Sequence, residues 1–351
     1  GCSCDDGLHM DHNVRVCGDG AWWNVERQDA RRLEVTRNND NTSLGKRLRS
    51  ACEHNVRLPS GISFTCRSTT VQMHLDSDCV RANMQTNAAA FEGWALALKR
   101  WLPDVAGVEL SWDFDGNVCD PHYQRFLYRT KKFRSLFADW FFIAAPDKLD
   151  GLKTEAAGHE FILNVASKPR DAGECDWSES LKTSEYKLEC HIVRHQEPLC
   201  NLLGVDRLDR QLPVGLFRNS VSNANEVFPG KKGAIDIWGV DKGSTTLFLF
   251  ELKKKGNKPL GIMSELFFYS FVLADAQARR FKFEKPNPEI EQTGKIAAYI
   301  LAPEWHPLID EEMLKLVNEA CSRVGAKIGF GAIKIIPAKV QKYEIVLRVR
   351  Q

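Results

Sequence analysis

Two carboxylates and a lysine interrupt a pair of apolar segments near residue 240. The segments, GAIDIWGV and TTLFLFEL, are joined by Asp241-Lys242-Gly243-Ser244, which is typical of a β-turn. Asp236 lies in the first segment, and Glu251 and Lys253 lie at the end of the second. Carboxylate oxygens suit Mg²⁺ or Mn²⁺, and a lysine beside them suits the activation of a water molecule. These three residues indicate metal-assisted hydrolysis.

Strand alternation tests whether the three side chains would meet. Glu251 and Lys253 share one face of their strand with Leu247 and Leu249. An antiparallel turn would bring Asp236 within reach of Glu251, and a divalent cation would remove the repulsion between the two carboxylates. The backbone carbonyl of Leu252 would complete the ligands. Alternatively, Asp236 and Lys253 form a buried ion pair and Glu251 ends the strand in solvent.

The surrounding periodicity predicts the elements that would hold this hairpin. Apolar residues recur at helical or strand spacing throughout the C-terminal half. The predicted order is helix 184–203, strand 212–217, the hairpin, helix 259–279, strand 295–302, helix 310–324 and strands 329–336 and 343–349. Such an order predicts an α/β fold, with a sheet flanked by helices.

The hairpin and its neighbours resemble the PD-(D/E)XK nuclease superfamily over residues 184–301, about a third of the chain. The resemblance is carried by Asp236 on one strand and Glu251-Leu252-Lys253 on the next. It implies a restriction-endonuclease-like mixed sheet, metal ligation by Asp236, Glu251 and the Leu252 carbonyl, and a Lys253 that assists the attacking water or stabilises the pentacovalent phosphate. Ile235 replaces the proline of the motif's name, a position that the superfamily holds loosely.

The resemblance also implies acidic residues from the adjoining helices. Glu185 and Glu189 lie on the first core helix, and Glu185 shares a stripe with Leu188 and Ile192 that would face the sheet. Glu265 lies in the helix after the hairpin. Each is a candidate catalytic residue. The alternatives are that Glu185 and Glu189 are surface residues and that Glu265 complements the dipole of its helix.

Two groups of basic residues are candidates for binding a phosphate backbone. Lys254, Lys255 and Lys258 form a basic loop directly after the hairpin. Arg125, Arg129 and Lys132 recur along a predicted helix over residues 121–142, beside an aromatic stripe. Either group would otherwise be a solvated surface, and for the helix this is the simpler interpretation.

The N-terminal half predicts an α+β region. Alternating segments at 33–37, 55–58, 62–67 and 70–75 precede a helix over 87–102 with Asn87 as its N-cap, and a strand near 110 follows. The domains are predicted as an irregular lead-in (1–30), an N-terminal domain (31–150) that selects substrate, a linker (151–182) with one short strand near 161, and a nuclease-like domain (183–351). Cys2, Cys4, His9, His12 and Cys17 crowd the lead-in, but their spacing favours an irregular segment over a zinc site.

Composition limits the function classes. The 351 residues are 43% hydrophobic and 27% charged, with a net charge of +2, so any nucleic-acid surface must be local. No apolar segment is long enough to cross a membrane, no secretion signal is recognised, and eleven scattered cysteines favour a reducing, cytoplasmic location. We expect a metal-dependent nuclease acting on DNA rather than RNA, as a homodimer or in a defence or repair complex. The alternative is a non-catalytic nucleic-acid-binding or assembly protein.

Overall fold

The computed structural model describes residues 42–155, 160–164, 184–230, 233–243, 245–336 and 342–349, and these residues form a mixed α/β structure. The helices are α1 (42–52), α2 (Ser77–Arg81), α3 (Phe91–Trp101), α4 (Pro121–Leu136), α5 (Glu185–Arg194), α6 (Glu197–Leu203), α7 (Ile262–Gln277), α8 (Pro288–Glu291) and α9 (Glu311–Arg323). The strands are β1 (Ile62–Arg67), β2 (Thr70–Leu75), β3 (Gly107–Trp112), β4 (Phe141–Ile143), β5 (Phe161–Leu163), β6 (Val205–Pro213), β7 (Leu216–Arg218), β8 (Glu226–Phe228), β9 (Ala234–Asp241), β10 (Thr246–Leu252), β11 (Lys282–Phe283), β12 (Lys295–Ala302), β13 (Ile328–Ile336) and β14 (Lys342–Leu347).

Asp236, Glu251 and Leu252 belong to a mixed six-stranded sheet with the order β14-β13-β12-β10-β9-β6. β10, β12 and β13 run parallel, whereas β9, β6 and β14 pair antiparallel with their neighbours. Every residue of β10 is buried, because its alternate side chains enter two different cores. Leu247 and Leu249 pack in the larger core, and Phe248 and Phe250 in the smaller. β10 is therefore a central strand covered on both faces.

Helices cover both faces of this sheet. The smaller core lies under α5 and α6, to which Leu188, Ile192 and Leu199 contribute. The larger core lies under α7 and α9 and continues without a break into the N-terminal half, from Leu44 to Ala332. There it includes α3, α4 and a four-stranded sheet of order β1-β2-β3-β4. A further small sheet has the order β11-β5-β7-β8.

Several predicted elements are confirmed and others are wrong. The hairpin, β12 and α9 form where predicted, as do β1, β2 and the short strand β5. The predicted helix 184–203 is two helices, since α5 ends at Arg194 and α6 begins at Glu197, just before Pro198. The helix predicted to reach residue 142 ends at Leu136, and residues 55–58 are not a strand. The strand predicted over 212–217 is the end of β6 and the start of β7, which belong to different sheets.

The N-cap predicted at Asn87 is also wrong. α3 begins later, after Ala90, and Asn87 opens a 3₁₀ turn instead. Its Oδ1 accepts a hydrogen bond from the backbone N–H of Leu260 at 2.9 Å, which ties this turn to the segment before α7.

The Cys/His cluster, the strand predicted over 33–37 and most of the predicted linker lie outside the described residues. No described helix is both long and apolar enough to span a bilayer.

Candidate functional site

Asp236 and Glu251 are brought side by side by the register of the hairpin. Phe250 pairs with Ile237, so the next pair along the two strands is Asp236 with Glu251. The alternation that places Leu249 in the larger core places Glu251 on the same face, which is the face covered by α7. The Oδ2 atom of half-buried Asp236 accepts a hydrogen bond from the backbone N–H of Leu252 at 2.9 Å. The main chain of β10 thus fixes the carboxylate of Asp236.

Lys253 lies between two buried glutamates. Its Nζ is 2.7 Å from Oε1 of Glu251 and 3.2 Å from Oε2 of Glu265, which comes from the first turn of α7. The backbone N–H of Lys253 donates to the carbonyl of Leu301 on β12, so β12 anchors the end of β10. Glu251 is only 1% exposed. The alternative in which Glu251 ends the strand in solvent is therefore wrong.

The crowding of three carboxyl groups changes their proton affinity. Burial, opposed in part by Lys253, raises the pKa of Asp236 to about 7. Burial, Asp236 and Glu265 raise the pKa of Glu251 well above its usual range. Burial alone would lower the pKa of Lys253, but Glu251, Glu265 and Asp236 together raise it well above its usual range. Lys253 is consequently held as an ammonium, whereas Asp236 and Glu251 keep their protons more readily than isolated carboxyl groups do.

The residues present fit a divalent cation. Glu251 and Glu265 share the ammonium of Lys253, which is also near enough to Asp236 to lower its pKa. Oε2 of Glu251 is buried with no hydrogen-bond partner among the described residues. A cation would satisfy this oxygen and favour the ionised forms of Asp236 and Glu251. Among the described residues no three acidic, histidine or cysteine side chains form a metal-binding group. The fit therefore rests on two carboxylates and the Leu252 carbonyl.

The structure places Glu185 and Glu189 differently from each other. Glu189 is buried, and its carboxylate accepts hydrogen bonds from Arg210 Nε at 2.6 Å and Gln211 Nε2 at 2.9 Å. Its charge is nonetheless near enough to contribute to the raised pKa of Asp236. Glu185 accepts from the backbone N–H of Lys254 at 3.3 Å and from Asn257 Nδ2 at 2.5 Å. Glu185 thus positions the loop after β10.

Tyr269 and Arg125 belong to the surroundings of the site, and only Arg125 was a candidate. Tyr269 lies one helical turn after Glu265, and its pKa is raised well above the usual range by burial and then by Glu265, Glu251 and Asp236. The four-residue spacing from Glu265 places Tyr269 on the same side of the helix and could have identified it from sequence. The pattern of apolar residues could not, because nearly all of α7 is buried. Burial and Arg129 lower the pKa of Arg125 to about 10, and Glu265 and Tyr269 are among the groups that oppose this.

The rest of the predicted basic stripe on α4 makes contacts inside the protein. Arg129 is 2% exposed and binds Glu92 through Nε at 2.8 Å and Nη2 at 2.5 Å. The Nζ of Lys132 is 2.8 Å from Oδ1 of Asp275 on α7. Arg129 and Lys132 therefore form neither a phosphate-binding stripe nor a solvated face, and both interpretations of these two residues are wrong.

The basic loop lies directly beside the site. Lys255 is exposed and Lys254 is partly buried. Lys258 is exposed and its Nζ is 2.8 Å from Oε2 of Glu304. The basic residues of this loop follow Glu251 and Lys253 directly in sequence, whereas those of α4 come from a distant part of the chain.

Comparison with known proteins gives no relative: no protein-family model, curated protein or solved structure matches the chain. The resemblance to the PD-(D/E)XK superfamily stays a prediction.

Proposed function

We propose that this chain is a metal-dependent nuclease of the PD-(D/E)XK type that hydrolyses phosphodiester bonds, with DNA as the favoured substrate. The observation that carries the proposal is the charge arrangement at the end of β10. Glu251 and Glu265 pair with one ammonium beside Asp236, and the Oε2 atoms of both glutamates are buried without a hydrogen bond among the described residues. Such a site is costly for folding alone and suits the binding of a cation.

Asp236, Glu251 and the carbonyl of Leu252 are the groups that would hold Mg²⁺ or Mn²⁺. The ion would supply Lewis-acid activation of water and neutralise charge on a phosphate oxygen. Because Glu251 and Glu265 hold Lys253 as an ammonium, its role is to orient the water or to donate a hydrogen bond to the phosphate, rather than to remove a proton. Glu265 fixes the position of the lysine from α7.

The loop after β10 supports a polyanionic substrate. Lys254 and Lys255 follow the site within two residues, and backbone-directed cations are what hold nucleic acid irrespective of its sequence. Restriction, defence against foreign DNA and repair are the settings in which proteins of this class usually work, alone, as homodimers or in complexes.

A cleavage panel tests the proposal. Single- and double-stranded DNA and RNA would be incubated with Mg²⁺, Mn²⁺ or EDTA, and we expect cleavage of DNA only with a metal. Lys253→Met and Glu251→Gln should each lower the rate roughly 10²–10³-fold. Lys242→Met is the matched control, since this exposed lysine lies at the other end of the same hairpin. Equal rates for the wild type and Lys253→Met would contradict the proposed role of the lysine.

The second candidate is a non-catalytic binding or assembly protein that retains the same sheet. It is favoured by one observation, the buried contact of 2.7 Å between Lys253 and Glu251, which is also what a purely structural ion pair would make. Binding of DNA without cleavage under every metal condition would support this candidate over the nuclease.

A further inference from the structure

A cleft of about 600 Å³ opens at the end of the six-stranded sheet that is remote from the candidate active site. Thr246, Lys295 and Ile328 line it, and they are the first residues of β10, β12 and β13. Glu251 and Leu252, in contrast, are the last residues of β10. Nothing in the proposed nuclease chemistry uses this end of the strands.

Three cations line the cleft without a described counter-ion. Lys295, Lys327 and Arg348 are exposed, and no ion pair joins any of them to a carboxylate within the part of the chain that the structure describes. Ile296 pairs with Ile328 in parallel register, so Lys295 and Lys327 precede a matched pair on neighbouring strands. Like charges placed side by side across strands repel each other, and a bound anion would remove the repulsion.

Two further charged residues, Lys315 and Glu319, line the cleft and contribute to its net charge. Lys315 is engaged by Glu312, its Nζ lying 2.6 Å from Oε1. Glu319, on the same helix, is exposed at the cleft and partly offsets the charge of Lys295, Lys327 and Arg348. The net charge that faces a ligand is therefore positive.

The floor of the cleft is apolar and held in place. Ile296, Ile328 and Val349 contribute to it. The backbone N–H of Val349 donates to the hydroxyl of Tyr299 at 3.2 Å, and a Cβ on Gly329 would lie 2.2 Å from Cγ1 of Val349. The close packing of Val349 on Gly329 fixes the end of β14, and with it the backbone position of Arg348.

We propose that this cleft binds a free nucleotide, with its phosphates on Lys295, Lys327 and Arg348 and its base on the apolar floor. Several neighbouring cations suit a ligand with several negative charges, such as a polyphosphate, better than a ligand with a single carboxylate. The volume lies within the range of about 300–1,000 Å³ that is usual for small-molecule sites. This inference is independent of the proposed nuclease activity.

Calorimetric titration of the full chain tests the site, with ATP, adenosine and tripolyphosphate as probes in EDTA. ATP should bind at least tenfold more tightly than adenosine, which lacks the phosphates, and than tripolyphosphate, which lacks the base. If tripolyphosphate binds as tightly as ATP, the apolar floor is not used and the proposal fails. Undetectable binding of ATP would overturn it as well.

Charge variants locate the site. The triple variant Lys295→Gln/Lys327→Gln/Arg348→Gln should weaken ATP binding at least tenfold, and Glu319→Gln should tighten it. The control triple Lys242→Gln/Lys285→Gln/Arg57→Gln removes the same charge from exposed positions outside the cleft and should leave binding unchanged. Ser322→Trp, which fills the cleft without a change of charge, should abolish binding. Equal losses in the two triple variants would show a general charge effect and refute the site.

Discussion

At the scale of single residues, the cluster at the end of β10 combines groups that a folded protein usually keeps apart. Asp236 and Glu251 are neighbours across two strands, and Glu265 approaches the same lysine from α7. Burying a carboxylate is costly unless it is paired, and Oε2 of Glu251 has no such partner among the described residues. A bound cation would relieve this destabilisation. The stability of the protein therefore reports whether a cation binds at the site.

Metal binding should therefore raise the melting temperature of the wild type. A ligand present at about 100 times its Kd stabilises the folded state by about 2.7 kcal/mol. In a chain of 351 residues each kcal/mol corresponds to about 1.4 °C, because the entropy of unfolding is about 2.1 cal/mol/K per residue. We expect a rise of several degrees with Mg²⁺ or Mn²⁺ relative to EDTA, measured by differential scanning calorimetry. Asp236→Asn should abolish the rise.

Without metal, we do not expect Asp236→Asn to be destabilised. In EDTA, Asp236→Asn should melt no lower than the wild type, because an amide at residue 236 removes a repulsive charge and still accepts the hydrogen bond from Leu252. Asp241→Asn is the control: Asp241 lies on the same strand and accepts from Thr245 and Thr246, away from the site. It should lower the melting temperature but keep the full metal-dependent rise. A wild type that does not respond to either metal would contradict the proposed cation site.

At the scale of elements, the position of α7 depends on a buried polar network with α3 and α4. Arg129 of α4 binds Glu92 of α3, and the hydroxyl of Ser264 on α7 donates to Oε2 of the same Glu92 at 2.7 Å. Ser264 directly precedes Glu265. The network thus fixes the start of the helix that brings Glu265 to Lys253.

Breaking this network should be strongly destabilising. Glu92→Gln leaves the guanidinium of Arg129 buried without a counter-ion, which costs roughly 3–5 kcal/mol of unfolding free energy. Ser264→Ala removes a single hydrogen bond and should cost about 1 kcal/mol. Urea denaturation measures both.

A double variant separates the charge effect from the packing. Glu92→Leu/Arg129→Met replaces the ion pair by apolar side chains and should be more stable than Glu92→Gln alone. If the double variant is instead the less stable of the two, this expectation is wrong and the ion pair stabilises the fold more than apolar side chains do.

The sequence predicted the hairpin but not this network, and the reason is physical. Strand alternation and a turn are local, so they were enough to place Asp236 opposite Glu251 and Lys253 on the same face. The partner of Arg129 lies 37 residues away in another helix. Local periodicity cannot distinguish a basic residue that faces solvent from one that faces a distant carboxylate. Glu189 was missed as an ion-pair partner for the same reason, since Arg210 comes from β6.

At the scale of the whole molecule, the segment between β12 and α9 joins the N-terminal half to the six-stranded sheet. Asp310, the N-cap of α9, also binds Arg100 of α3 at 2.8 Å. The indole of Trp101 donates to the carbonyl of Leu308 at 2.9 Å, and the ring of Trp94 packs edge-on against His306. Contacts of this kind make the stability of the sheet depend on α3.

His306 should make this junction sensitive to acid. The side chain is 9% exposed and its Nδ1 accepts from the backbone N–H of Leu308 at 3.2 Å, so the neutral ring is the form that fits. Burial, with a smaller contribution from Lys258, lowers the pKa of His306 from 6.5 to about 4. The unfolded chain therefore takes up a proton at a higher pH than the folded chain does.

The sign of the effect follows directly. Above pH 6.5 both states are neutral at His306 and stability is full; as the pH falls from 6.5 towards 4, only the unfolded state is protonated and stability is lost. A difference of this size corresponds to about 3 kcal/mol. His306→Asn, whose amide oxygen replaces the Nδ1 acceptor, should flatten the fall in unfolding free energy between pH 6.5 and 5, as measured by urea denaturation at each pH. His54→Asn, at an exposed histidine, should keep the wild-type dependence, and an unchanged slope in His306→Asn would show that acid acts elsewhere in the molecule.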